Sequence, residues 1–221
     1  MKTFILLAGI LISTYGNTLI KEYPSNFNDA LIYKQEIEKE LSFNDIEKAF
    51  YISIIFPELM RYNLISDKLE TWSNKLKSGY LKEYEGYSIG HCQIKPKFAK
   101  EIEEYLKKDR KLKKKYSFLL DYDINKDANI QRIERLCSYK YESLYIQAFV
   151  DICINKYDIK MDNIEEALLY ISAVYNCGFF DELKDYEYAL SQDQFSINKL
   201  SNKKWNYSKL SIYFYSIFKE K

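Results

Sequence analysis

Apolar residues recur three and four positions apart along most of this 221-residue chain, while stretches that alternate apolar and polar are nearly absent; the pattern predicts helices, not strands. Ser42 with Asp45 has the form of a capping box, after which Ile46, Phe50, Ile54 and Ile55 follow at helical spacing toward Met60. From Lys97 to about Lys108, Phe98, Ile102, Tyr105 and Leu106 share one side, and the lysine-rich Lys107–Lys115 reads as a solvated helix end and turn. From Asp127 onward Ile130, Ile133, Leu136 and Cys137, then Leu144, Phe149 and Ile152, predict one long helix or two joined near Ser138. Asp162 with Glu165 predicts another capped helix, with Ile164, Ala167, Leu168, Ile171 and Val174 as its apolar stripe, and a last amphipathic segment covers about Tyr207 to Phe218. No Pro/Gly/Ser linker and no repeat of solenoid length interrupts the chain, so the expectation is one mainly α-helical domain.

Composition changes this picture little. Apolar residues make up 47% of the chain, enough for a sizeable core, and 33 Lys and Arg nearly cancel 32 Asp and Glu. With no global field, neither nucleic acid nor an anionic membrane is an expected partner. The N-terminus changes the picture more. Lys2, an apolar run from Phe4 to Ile12, and then Ser13, Thr14, Gly16 and Asn17 follow the order of a secretory signal, too short to span a bilayer comfortably. Residues 1–16 are therefore expected to be a signal peptide and 17–221 the exported domain, in the periplasm or outside the cell, without a membrane span; an uncleaved anchor or a buried N-terminal helix is the alternative. Cys92, Cys137, Cys153 and Cys177 form no CxxC pair, which argues against zinc; four thiols and one disulfide fit equally well. No cofactor or metal is expected.

Few residues can carry chemistry. Nucleophile-histidine schemes must use His91, the one histidine, and it has no acidic neighbour in sequence; an exposed loop histidine is the simpler reading. Around it, Tyr87–Pro96 (YSIGHCQIKP) is expected to make a tight loop in which Gly90 takes an unusual backbone angle and Pro96 opens the next helix at its first turn. A carboxylate is the better candidate for catalysis. Glu58 lies in YISIIFPELMRY among Ile54, Ile55, Phe56, Leu59 and Met60, where desolvation would favour its neutral form and so suit a general acid. The competing reading has Pro57 break or kink the helix and leave Glu58 in water.

Three segments taken together resemble the lytic transglycosylase branch of the lysozyme-like superfamily. Glu58 matches the catalytic glutamate at a helix end; Gly90, Gln93, Ile94 and Pro96 match the G-x-x-Q-[hydrophobic]-x-P loop; Ala173, Tyr175, Asn176 and Gly178 match the A-x-Y-N-x-G segment. The likeness covers roughly Phe43 to Phe180. It implies a lysozyme-like helical domain with a cleft and extra helices, and a peptidoglycan lytic transglycosylase that cleaves the MurNAc-GlcNAc β-1,4 bond with Glu58 as its single catalytic acid. Ser88, Gly90, Gln93, Ile94, Tyr175 and Asn176 would line the glycan site, with Tyr175 placing its hydroxyl near Glu58 and Gln93 and Asn176 holding saccharide or loop backbone. Tyr175 also fits as a core aromatic.

The departures point to a divergent subgroup. Leu59 stands where the pattern has serine, and the intervals from Glu58 to Gly90 and from Gln93 to Tyr175, 32 and 82 residues, are long. A hydrolytic lysozyme would want a second acid; Asp67, Glu70 and Glu85 are near in sequence and Glu70 is the one chosen, against its reading as a solvated helix acid paired with Lys68 or Lys75. A module that binds glycan strands or an envelope partner without turnover is the remaining alternative.

Overall fold

Buried positions along each segment recur at helical spacing, and a computed structural model turns them into helices. It describes residues 2–41, 46–62, 88–179, 190–198 and 202–219. Among these the chain is mainly helical: α1 (Lys2–Glu22), α2 (Pro24–Glu40), α3 (Lys48–Tyr62), α4 (Pro96–Lys108), α5 (Arg110–Lys115), a 3-10 turn (Ser117–Leu119), α6 (Ala128–Leu136), α7 (Tyr139–Tyr157), α8 (Ile164–Cys177) and α9 (Tyr207–Phe218). Extended pairing among the described residues is confined to the bridges Ile89–Ile94 and Phe195–Trp205. No described helix is long and apolar enough to cross a membrane.

Local chemistry explains most boundaries. Pro96 sits at the first turn of α4, where its missing N–H costs nothing. Asp109 stops α4 and caps α5 by accepting from the N–H groups of Lys111 and Leu112, so the lysine-rich stretch is a capped break and a second short helix. Asp127 caps α6 in the same way, and Ser138 separates α6 from α7, the two-helix form of that prediction. Asn163, not Asp162, caps α8: its Oδ1 accepts from the Glu166 N–H, so the predicted Asp162/Glu165 box is displaced by one residue. The Ser42/Asp45 box lies outside the described residues.

The chain divides into two compact units. The first comprises residues 1–34, 46–61 and 160–221. Its core holds Phe56, Phe214 and Phe218, with Phe56 4.5 Å from Phe214 and 4.8 Å from Phe218 between ring centroids and the half-buried Phe27 edge-on to Phe56 at 5.7 Å. Helix α1 runs unbroken past the predicted processing point and packs on α9: Leu19 is buried, Tyr213 donates to Asn17 at 2.8 Å, and the Tyr15 ring stands edge-on to Trp205 at 5.0 Å.

The second unit comprises residues 35–45 and 62–159. Here α4, α6 and α7 close over Ala99, Ile102, Leu106, Ile133, Leu136, Ile146 and Phe149. Glu103 lies inside this core, 1% exposed, held bidentately by Arg132 (2.9 and 2.7 Å) and accepting from Tyr122 (2.5 Å) and Tyr145 (2.6 Å). Every oxygen of the carboxylate is engaged, which is what makes a charge tolerable at that depth. All four cysteines are free thiols; Cys92 and Cys153 are buried.

Candidate functional site

In the first unit, α3 continues through Pro57, so the proline neither ends the helix nor turns Glu58 into water. Pro57 cannot donate to the Ser53 carbonyl one turn earlier. Next to that gap the Tyr207 hydroxyl donates to the Ile54 carbonyl at 2.8 Å, and Ser53 Oγ donates back to Ala49 at 2.5 Å. Glu58 is 5% exposed, with Ile54, Ile55, Leu59 and Met60 wholly buried around it. The residue that sequence reasoning missed here is Arg61, one turn on, whose guanidinium meets Glu58 Oε2 at 2.5 Å. The carboxyl and the guanidinium form a charge pair that is largely buried.

Arg61 in turn lies over the Phe195 ring at 4.9 Å, Phe195 stands edge-on to Tyr207 at 4.9 Å, and Tyr207 is 6.3 Å from Tyr175. A row of rings thus joins Glu58 to Tyr175 within this unit. Tyr175 is half-buried near the end of α8, Asn176 is exposed with its amide 3.6 Å from Cys177 Sγ, and Gly178 ends the helix at φ 96°. Glu70, Asp67 and Glu85 lie outside the described residues.

The second unit carries the loop. Ile89 and Ile94 exchange both backbone hydrogen bonds at 3.0 Å, closing residues 90–93 into a tight turn, and both side chains are buried beneath it; Ser88 precedes it half-buried. Gly90 takes φ 70°, as expected, and a Cβ there would overlap the Leu136 carbonyl and Glu142 Oε1. Gln93 takes φ 55°, a conformation that costs an ordinary residue about 1–2 kcal/mol, and its side-chain amide donates to the Gly90 carbonyl at 2.8 Å. Gln93 therefore holds loop backbone, one of the two roles expected of it.

What fixes this loop is Glu142, fully buried on α7 and absent from the sequence reading. Its Oε1 accepts the Cys92 N–H at 2.7 Å, and its Oε2 lies 3.1 Å from His91 Nδ1. His91 Nε2 in turn is 3.0 Å from the Tyr139 hydroxyl, and the imidazole sits 4.2 Å from the Tyr139 ring and 4.5 Å from the Tyr62 ring. The expectation of an exposed loop histidine is overturned: its side chain is 16% exposed, and although no acid neighbours it in sequence, Glu142 from another helix orients it. A carboxylate, an imidazole and a phenol in hydrogen-bonded series form a rigid polar brace under the loop. Among the described residues no group of His, Cys, Asp and Glu is arranged to hold a metal ion. Comparison of the chain with protein-family models, curated proteins and solved structures finds no match.

Proposed function

We propose that this protein is an exported peptidoglycan lytic transglycosylase with a lysozyme-like fold, acting on glycan strands through Glu58. The observation that carries the reading is that Glu58, the residue the resemblance matches to the family's acid, is 5% exposed with Ile54, Ile55, Leu59 and Met60 buried around it. The left-handed Gln93 supports it, because strained backbone concentrates where a loop must keep one shape for a ligand.

In the proposed reaction Glu58, protonated, gives its proton to the glycosidic oxygen as the bond from the MurNAc anomeric carbon breaks. The 6-hydroxyl of the same sugar then attacks that carbon and returns its proton to Glu58, leaving a 1,6-anhydro end and the acid as it began. Between the two transfers Glu58 is an anion, and Arg61 at 2.5 Å stabilises it there. A single carboxyl suffices for this route. Tyr175 and Asn176, in the same unit as Glu58, would contact the glycan.

Digestion of purified sacculi followed by mass spectrometry of the muropeptides tests the reading. The expected products are one water lighter at the reducing end, and Glu58→Gln lowers their yield by about 10²–10⁴-fold without loss of folding. Products with an ordinary reducing end would instead make the protein a hydrolytic lysozyme. The second reading, a glycan-binding module without turnover, draws on the Glu58–Arg61 ion pair, which by itself is a sound structural contact; retention on sacculi with no soluble product would establish it.

A further inference from the structure

The stretch from Lys107 to Asp121 carries seven cations and two acids in a chain whose net charge is +1, so the positive charge is local and the remainder is net negative. The fold displays it. In α5 and the end of α4, Lys107, Lys108, Arg110, Lys111, Lys113 and Lys114 are all exposed, while Leu112 alone turns inward. The Asp109 carboxylate is folded onto its own backbone as the cap, and Lys115 is paired with Asp151 at 2.7 Å.

The turn that follows presents an apolar side chain beside this charge. Tyr116 and Leu119 are buried and pin the 3-10 turn, which leaves Phe118 pointing outward at 62% exposure. Phe118 lines an open concavity of about 600 Å³ with Arg110, Lys113, Lys114 and Asp121. Six residues on, Ile124 is 95% exposed; these two are among the three exposed large apolar residues of the described chain. The flanking Asp123 and Asp127 are turned onto nearby backbone N–H groups.

From this juxtaposition we infer that the α5 face docks on the surface of an anionic lipid bilayer, the lysines and Arg110 meeting headgroup phosphates and Phe118 entering the interface. Basic residues near a surface attract anionic lipid within a screening length, and an exposed aromatic adds burial that a soluble polyanion does not offer. The contact goes beyond the glycan reading and is independent of Glu58. It would hold the enzyme, or module, at the boundary between membrane and wall.

Flotation of the full chain with phosphatidylcholine vesicles, with and without phosphatidylglycerol, tests the proposal. The expected result is binding to the anionic vesicles that weakens as salt is raised. Lys113→Glu with Lys114→Glu should weaken it by about tenfold or more, and Phe118→Ser measurably, with circular dichroism unchanged. Heparin is the control for a soluble polyanion. Heparin binding as tight as vesicle binding, with Phe118→Ser without effect, would assign the face to an anionic polymer and overturn the membrane reading. Binding indifferent to charge and to these substitutions would place the contact elsewhere, as the apolar run from Phe4 to Ile12 could provide; that outcome, like no binding at all, also overturns it.

Discussion

Gly90 is the residue at which the largest number of constraints meet. Its φ of 70° and the absence of a Cβ let Glu142 reach the Cys92 N–H from below, so both the backbone angle and the space are used. Gly90→Ala is expected to cost at least about 2 kcal/mol, the left-handed penalty plus displacement of a buried carboxylate, measured by urea unfolding. A cost below about 1 kcal/mol would mean that the loop relaxes easily and is a poor glycan wall. The same site explains why His91 was misread. Its partner is 51 positions away, and nothing in the order of residues announces that α7 will bring an acid to it. The sequence around Glu142 differs from that around Glu58, because Lys140 and Ser143 interrupt its aromatic and apolar neighbours.

At the scale of elements, side-chain caps start α5, α6, α8 and α9; the α8 cap was legible to within a residue, and the Asp109 cap of α5 was not foreseen. Asp127 accepts from two backbone N–H groups, at 2.7 and 3.1 Å, and starts the helix that carries Arg132 to Glu103. Asp127→Ala should lower stability by about 1 kcal/mol, and Asp127→Asn should restore most of it; equal losses for both would remove capping as the cause. Helix α3 was harder to read, because a proline inside a helix is normally a stop signal. Beside the gap a hydroxyl from α9 reaches the Ile54 carbonyl, a contact supplied across 153 positions of sequence.

At the scale of the molecule, each unit closes around buried polar groups as well as apolar ones, and this makes stability depend on alkaline pH. Burial, then the hydrogen bond to Glu103 and its charge, push the Tyr122 phenol up to about 12 from 10.0, and Tyr145 is raised by the same causes. A group whose pKa is higher folded than unfolded loses its contribution as pH rises. Stability from these phenols is complete below pH 10 and falls as pH climbs through 10 toward 12. Urea midpoints measured across that window should drop, and Tyr122→Phe should flatten the drop; an unchanged slope in the variant would place the alkaline sensitivity elsewhere.

The order of residues alone determined the helical class, the position of Pro96 at a helix start, the need for glycine at 90 and the oddity of an acid at 58. All four follow from forces that act within a few residues: apolar spacing, backbone angle, a missing N–H and local desolvation. Tertiary structure decided what those groups meet. Glu142 orients His91 and its loop from another helix, 51 positions away, and Phe118 is left outside because Tyr116 and Leu119 are taken inside, whereas the Arg61 contact with Glu58 is a local one, three positions along the same helix. Charge pairing and burial depend on which distant surfaces close over a side chain, and that is a property of the packed chain, not of its spacing.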